Sequence, residues 1–207
     1  MSEIDVITPG LSAYHQKRLD QFRLENQTAT AGSIVFVGDS ITEFFPLKKY
    51  LGREWSILNR GIAGTDTNWL LDHLEEQVLA LSPSKIFLTI GVNDLGMGYS
   101  VADTVGKIAE LLSQLRLLSP KSETYLLSVL PVNEAPAFSK TVKIRKNKDI
   151  QSLNASLETL PGVDVIDLYT LLLDGDGQLA NEYTTDGLHL SQTAYERLAE
   201  ALRPYLN

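Results

Sequence analysis

Apolar residues in this chain gather in five short runs, at 34–37, 56–58, 86–90, 125–130 and 163–168. Within the runs they are continuous rather than alternating, the pattern of strands buried on both faces of a parallel sheet. Between the runs lie segments with helical spacing, at 67–81, 101–118 and 141–160, and a last one covers 191–206. The first of these sets Leu70, Leu71, Leu74, Val78 and Leu81 on a single stripe. Strand and helix in strict alternation predict an α/β fold, a single three-layer α/β/α domain around a central parallel sheet of about five strands. A polar segment at 11–28, with Leu11, Tyr14, Leu19 and Phe22 as its sparse apolar positions, reads as an amphipathic helix packed outside that core.

The 207 residues suffice for one well-packed domain, burying about 70% of the surface of the unfolded chain. With 18 basic and 26 acidic residues the formal charge is −8. That balance argues against a nucleic-acid partner or an anionic membrane surface. The most basic stretch, "KTVKIRKNK" at 140–148, reads as the solvated start of a helix. The absence of cysteine excludes a thiol nucleophile, thiolate metal sites and disulfides. The opening "MSEIDVITPG" carries no basic region followed by an apolar core, and no run reaches the ~20 residues of a membrane span. A cytoplasmic protein without membrane insertion is the expectation. Oligomeric state is left open, a homodimer included.

In open α/β sheets ligands bind beyond the carboxyl ends of the strands. The residues found there are Gly38-Asp39-Ser40, Asn59-Arg60-Gly61, Gly91-Val92-Asn93-Asp94 and Pro131-Val132-Asn133-Glu134. Ser40 opens a helix beginning near Ile41. It or Asp39 is either a plain helix cap or a hydroxyl held near the positive end of a helix dipole, with its own N–H open to an oxyanion. The surroundings are not those of a Gly-x-Ser-x-Gly elbow. A serine nucleophile needs a base, and there are three histidines. His15 lies in the polar first helix and His73 sits mid-helix among acids. His189 stands in "TTDGLHLSQTAY", three residues after Asp186, so one tight turn can bring the carboxylate to its Nδ1. The plain alternative gives Asp186 and Ser191 turn and cap roles with His189 exposed. For an oxyanion, Gly61 offers a bare backbone N–H and Asn93 a two-proton amide, although a strand-end turn and an Asx-turn would explain them as well.

The sequence resembles the SGNH (GDSL-type) hydrolases at four blocks in order: "GDS" at 38–40, the glycine at 61 in "NRGIAGT", "GVND" at 91–94 and "DGLH" at 186–189. The likeness spans residues 33–206, leaving out only the first helix. It implies a flavodoxin-like SGNH hydrolase fold over 1–207, with 1–28 as the outer helix and 33–206 as the catalytic core. It also implies Ser40 as nucleophile, His189 as base and Asp186 as its partner. The oxyanion donors would be the Ser40 and Gly61 N–H groups and the Asn93 side chain, while Asp39 and Asp94 match structural positions. Within the family, "GDSIT", "NRGIAGTDT", "LPV" and "IRKNKDIQSLN" look most like the platelet-activating-factor acetylhydrolase-like, small-ester acetylesterase branch. Ile41 replaces the leucine of the strict Gly-Asp-Ser-Leu form, which weakens a long-chain lipase reading.

The expected reaction is hydrolysis of a small-molecule short-chain ester through an acyl-enzyme, with no cofactor and no metal. Phe44, Phe45, Leu47 and the segment 133–138, including Asn133 and Phe138, are candidates for shaping the acyl and alcohol sites, with core packing as the alternative for the Phe pair. A lysophospholipase, a thioesterase or a carbohydrate O-deacetylase would use the same machinery, and Trp55 and Trp69 are the candidate sugar platforms, with packing beside the sheet as the alternative for both. A catalytically silent binding module is the remaining alternative.

Overall fold

The computed structural model describes residues 4–207, so the first three residues of the amino-terminal stretch read above lie outside it. In chain order the helices and strands are α1 (Pro9–Asn26), β1 (Ile34–Gly38), α2 (Ser40–Glu43), α3 (Leu47–Tyr50), β2 (Ile57–Gly61), α4 (Thr67–Asp72), α5 (Leu74–Gln77) and β3 (Lys85–Thr89). There follow α6 (Val92–Gly96), α7 (Val101–Leu118), β4 (Glu123–Leu127), α8 (Ser139–Val142), α9 (Asn147–Leu157), β5 (Asp164–Ile166) and α10 (Gln192–Leu202). The five strands form one sheet in the order β2-β1-β3-β4-β5, every pairing parallel, as the apolar runs predict.

Successive residues of the central strands serve opposite cores, because side chains alternate across a sheet. Val35, Val37, Ile86 and Leu88 face the layer of α4, α5, α7 and α9, packing on Leu70, Leu74, Ile108, Leu111 and Leu153. Ile34, Phe36 and Phe87 face α2, α3 and α10, meeting Ile41, Phe45, Leu47, Tyr195 and Leu198. Each such fully buried side chain contributes about 1.5–3 kcal/mol relative to exposure. No helix among the described residues is long and apolar enough to cross a membrane.

The strand order reverses direction between β1 and β3, where the chain first crosses outward to β2 and then back. That switch point opens a crevice at the carboxyl edge. Register levels the edge, since Gly38 is paired with both Gly61 of β2 and Thr89 of β3.

Two predicted helices are broken. The stripe at 67–81 is divided into α4 and α5 at His73, whose φ is −126° and whose Nδ1 reaches the Trp69 carbonyl at 2.8 Å, beside the backbone bond to the same oxygen. The segment at 141–160 yields α8, a turn with Lys143 at φ +54°, and then α9. The turn directs Arg145 inward, so the expected solvated basic face contains a guanidinium only 1% exposed.

Candidate active site

Ser40 is placed by the abrupt end of β1. Asp39 caps the following helix, its Oδ1 accepting from the Ile41 N–H at 2.9 Å, and Ser40 becomes the first residue of α2. There its own N–H has no intrahelical acceptor. On the far side, Tyr195 of α10 donates to the Ile41 carbonyl at 3.0 Å and fixes α2 against that helix.

His189 and Asp186 come from the loop before α10. Asp186 Oδ1 accepts from the Leu188 and His189 N–H groups at 3.0 and 2.7 Å, winding the chain into a tight turn. Its Oδ2 then lies 2.7 Å from His189 Nδ1, and His189 Nε2 lies 3.1 Å from Ser40 Oγ. Burial pushes the Asp186 carboxyl upward, but its hydrogen bonds from His189 and Leu188 outweigh that and hold it below the usual carboxylate range. An ionised carboxylate can only accept, so Nδ1 carries the imidazole proton and the Nε2 lone pair faces the Ser40 hydroxyl. This arrangement can move a proton from serine to histidine.

The turn is fastened from behind. Thr184 Oγ1 donates to the His189 carbonyl at 2.7 Å and accepts from the Gly187 N–H at 2.9 Å. Asn133, expected in the substrate pocket, belongs to this support: its N–H donates to the Gly187 carbonyl and its amide to the Leu179 carbonyl, both at 2.8 Å. Phe138 is half-buried, with its ring against the core and its Cβ over Gly187. Neither residue lines the cleft around Ser40, which holds about 430 Å³.

That cleft is walled by Val6, Ile7, Leu11, Phe44, Gly64 and Met97, with Ser40, Asn93 and His189 at its floor. The two phenylalanines part ways. Phe44 is 49% exposed with its ring 5.6 Å from that of His189, whereas Phe45 is 6% exposed and stacked on Tyr195 within the core. Phe45 and Leu47 therefore leave the list of pocket residues, because their side of the chain faces the sheet. Trp69 is sandwiched between His15 and His73, and Trp55 packs against the core, so neither tryptophan presents a platform to the cleft.

Gly61 does not face an oxyanion. Its N–H is taken by Asn59 Oδ1 at 3.0 Å, and a Cβ there would lie 2.2 Å from the Glu43 backbone nitrogen. It is glycine because β2 and α2 touch. The glycine in the cleft wall is Gly64, at φ +80°, whose N–H has no partner among the described residues. Sequence reasoning passed over it, although "GIAGT" holds both glycines. Helix α1 secures its loop. His15, buried rather than on the polar face, contacts the Ala63 carbonyl at 2.9 Å, while Glu43, held by the Tyr14 hydroxyl, accepts from the Ala63 N–H at 2.6 Å.

Asn93, on the first turn of α6, is held on both sides. Its Nδ2 donates to the Thr65 carbonyl at 2.9 Å and its Oδ1 accepts from Arg145 at 3.0 Å. Asp94 turns away to the first residue of α4, accepting from the Thr67 N–H and hydroxyl. Burial pushes Asp94 up to about 6, against the Thr67 bonds. Asp39 is pushed further, to about 7, by complete burial, and its Oδ2 has no hydrogen-bond partner among the described residues. Among those residues no cluster of three or more histidine and carboxylate groups forms a metal site.

Comparison with known proteins meets this geometry from outside. Residues 36–197 match the model of the GDSL-like Lipase/Acylhydrolase family. A solved structure from Streptococcus pneumonia, provisionally described as a platelet activating factor, superposes with a TM-score of 0.90 at 36% identity, covering 95% of this chain and 94% of that one. Platelet-activating factor acetylhydrolase IB subunit alpha2 of Gallus gallus is 26% identical over 82% of this chain and 73% of its own length. The isoamyl acetate-hydrolyzing esterase 1 homolog of Rattus norvegicus is 28% identical over 84% and 81%. N-acylneuraminate cytidylyltransferase of Escherichia coli is 28% identical over 82% of this chain, which spans only 39% of that protein.

Proposed function

The chain belongs to the GDSL-like lipase/acylhydrolase family, and from that premise we propose that it is a serine esterase removing short acyl groups, acetyl foremost, through an acyl-enzyme intermediate. The observation that carries the proposal is the line of contacts from Asp186 through His189 to Ser40, at 2.7 and 3.1 Å.

In this reading Ser40 Oγ attacks the ester carbonyl as His189 Nε2 takes its proton, and Asp186 stabilises the imidazolium. The carbonyl oxygen becomes an oxyanion among the Ser40 N–H, the Gly64 N–H and the second N–H of Asn93. His189 returns the proton to the leaving alcohol. Water then enters, gives its proton to His189 and releases the acid from Ser40. The short acyl group finds support in two relatives whose names specify acetyl hydrolysis from different alcohols. Phe44 would bound the acyl side of the cleft, and Val6 and Ile7 the opposite wall.

Hydrolysis of p-nitrophenyl acetate, butyrate, octanoate and palmitate, run beside Ser40→Ala, tests the reading. Activity on acetate that declines with chain length and disappears in the variant is expected. A folded wild-type protein inert toward all four esters would overturn it and favour the binding-module alternative.

A further inference from the structure

Arg145 has no place in the reaction as drawn, yet every nitrogen of its buried guanidinium has a partner in or beside the site. Its Nε donates to the Val92 carbonyl at 2.8 Å, one terminal nitrogen reaches the Val142 carbonyl at 3.5 Å, and the other donates to Asn93 Oδ1 at 3.0 Å and pairs with the Asp5 carboxylate. Burying a guanidinium is unfavourable unless it is fully paired. Here each of the three nitrogens is engaged, and the one that also meets Asp5 is aimed at the amide next to the proposed oxyanion.

An asparagine amide is planar, with acceptor on one side and two donors on the other. If Asn93 flipped, its NH2 would confront the guanidinium and its oxygen would confront the Thr65 carbonyl, two like contacts in a buried site. With Oδ1 held by Arg145 and one N–H by Thr65, the second N–H has one direction left. We infer that Arg145 is a positioning residue for the acyl-transfer reaction, fixing the Asn93 amide so that its free N–H meets the developing oxyanion. Asp5 completes the device. Its backbone N–H donates to the Gly96 carbonyl at 2.8 Å and its carboxylate holds both Arg145 and, at 2.7 Å, Lys143. The segment carrying Val6 and Ile7 is thereby anchored to the group that orients Asn93. This inference rests on the esterase reading above.

A double-mutant cycle on the full chain with p-nitrophenyl acetate tests it, using Arg145→Gln, Arg145→Lys, Asn93→Ala and the Arg145→Gln/Asn93→Ala pair. Loss of one oxyanion donor costs ~100-fold or more, and a residue acting only through that donor shares the loss rather than adding to it. Arg145→Gln is expected to lower kcat by about 10-fold with KM nearly unchanged, Arg145→Lys to recover part of it, and the same change in the Asn93→Ala background to alter kcat by less than about 2-fold. Equal losses in both backgrounds would overturn the inference while leaving the esterase intact. An Asn93→Ala protein as fast as wild type would remove the oxyanion assignment itself, and this inference with it. Should Arg145→Gln not fold, Asp5→Asn takes its place in the cycle. A kcat loss confined to the Asn93 background then supports the coupling, and a loss of equal size in both refutes it.

Discussion

Gly61 and Gly64 stand three residues apart in "GIAGT" and are glycine for unrelated reasons. At Gly61 any side chain would strike the backbone of α2. At Gly64 the backbone is left-handed, and a Cβ would meet side chains rather than backbone: the Leu11 methyl groups at 3.1 and 3.2 Å and His15 Nε2 at 3.5 Å. Gly61→Ala is therefore expected to lower stability by about 1–3 kcal/mol or more through overpacking, seen as a fall in Tm. Gly64→Ala keeps its backbone N–H and should fold, at about 1–2 kcal/mol for the left-handed alanine. Its Cβ presses on Leu11 and shifts the loop, so kcat should fall, but by less than the ~100-fold of a missing oxyanion donor. Assays of both variants check the assignment. The sequence contains both residues but not the turn in which Asn59 occupies the Gly61 N–H, and that turn decides between them. Arg145 was illegible for a similar reason: its partners Asp5, Val92 and Asn93 are dozens of residues away. Ser40, Asp186 and His189 were legible because each stands at a break in pattern, and two of them share one turn.

At the scale of elements, α2 and the two residues after it compress two environments into six residues. Its first residue presents Ser40 to the cleft, Phe44 borders it, and Ile41 and Phe45 enter the core. Phe44→Ala is expected to alter the ratio of kcat/KM for butyrate over acetate while leaving Tm nearly unchanged. Phe45→Ala should keep the ratio and lose about 3–5 kcal/mol of stability; ester kinetics and thermal melts on the same pair of proteins decide. Strands were the most legible elements, since burial on both faces leaves a continuous apolar signature. Helix interruptions were not, because at His73 a side chain reaches the carbonyl of the preceding turn, and at Lys143 the demand to bury Arg145 overrides local periodicity.

For the whole molecule, the crevice at the switch point collects buried carboxylates, and they give stability a pH dependence. Asp39 and Asp94 are raised by burial to about 7 and about 6, from an ordinary value of 3.8. Between those limits the unfolded chain has released protons that the folded chain retains, so their contribution to stability falls as pH rises from about 4 to 7. Asp186, held below its ordinary value, acts in the opposite sense and weakens the fold only as the solution becomes acid enough to protonate it. Asp39→Asn keeps an acceptor for the Ile41 N–H and removes the ionisation. Its Tm should match wild type near pH 4 and exceed it by several degrees above pH 7, and melts across that range would check this. The anchored segment at Asp5–Ile7 has a practical side as well. One wall of the cleft is a short peptide held to the domain at Asp5, by its carboxylate and by its N–H on the Gly96 carbonyl, so the side chains that follow it are exchangeable parts. Libraries that keep Asp5 and vary positions 6 and 7 would retune which alcohols enter without disturbing the sheet, and an affinity tag is better fused at the carboxyl end, away from the cleft mouth.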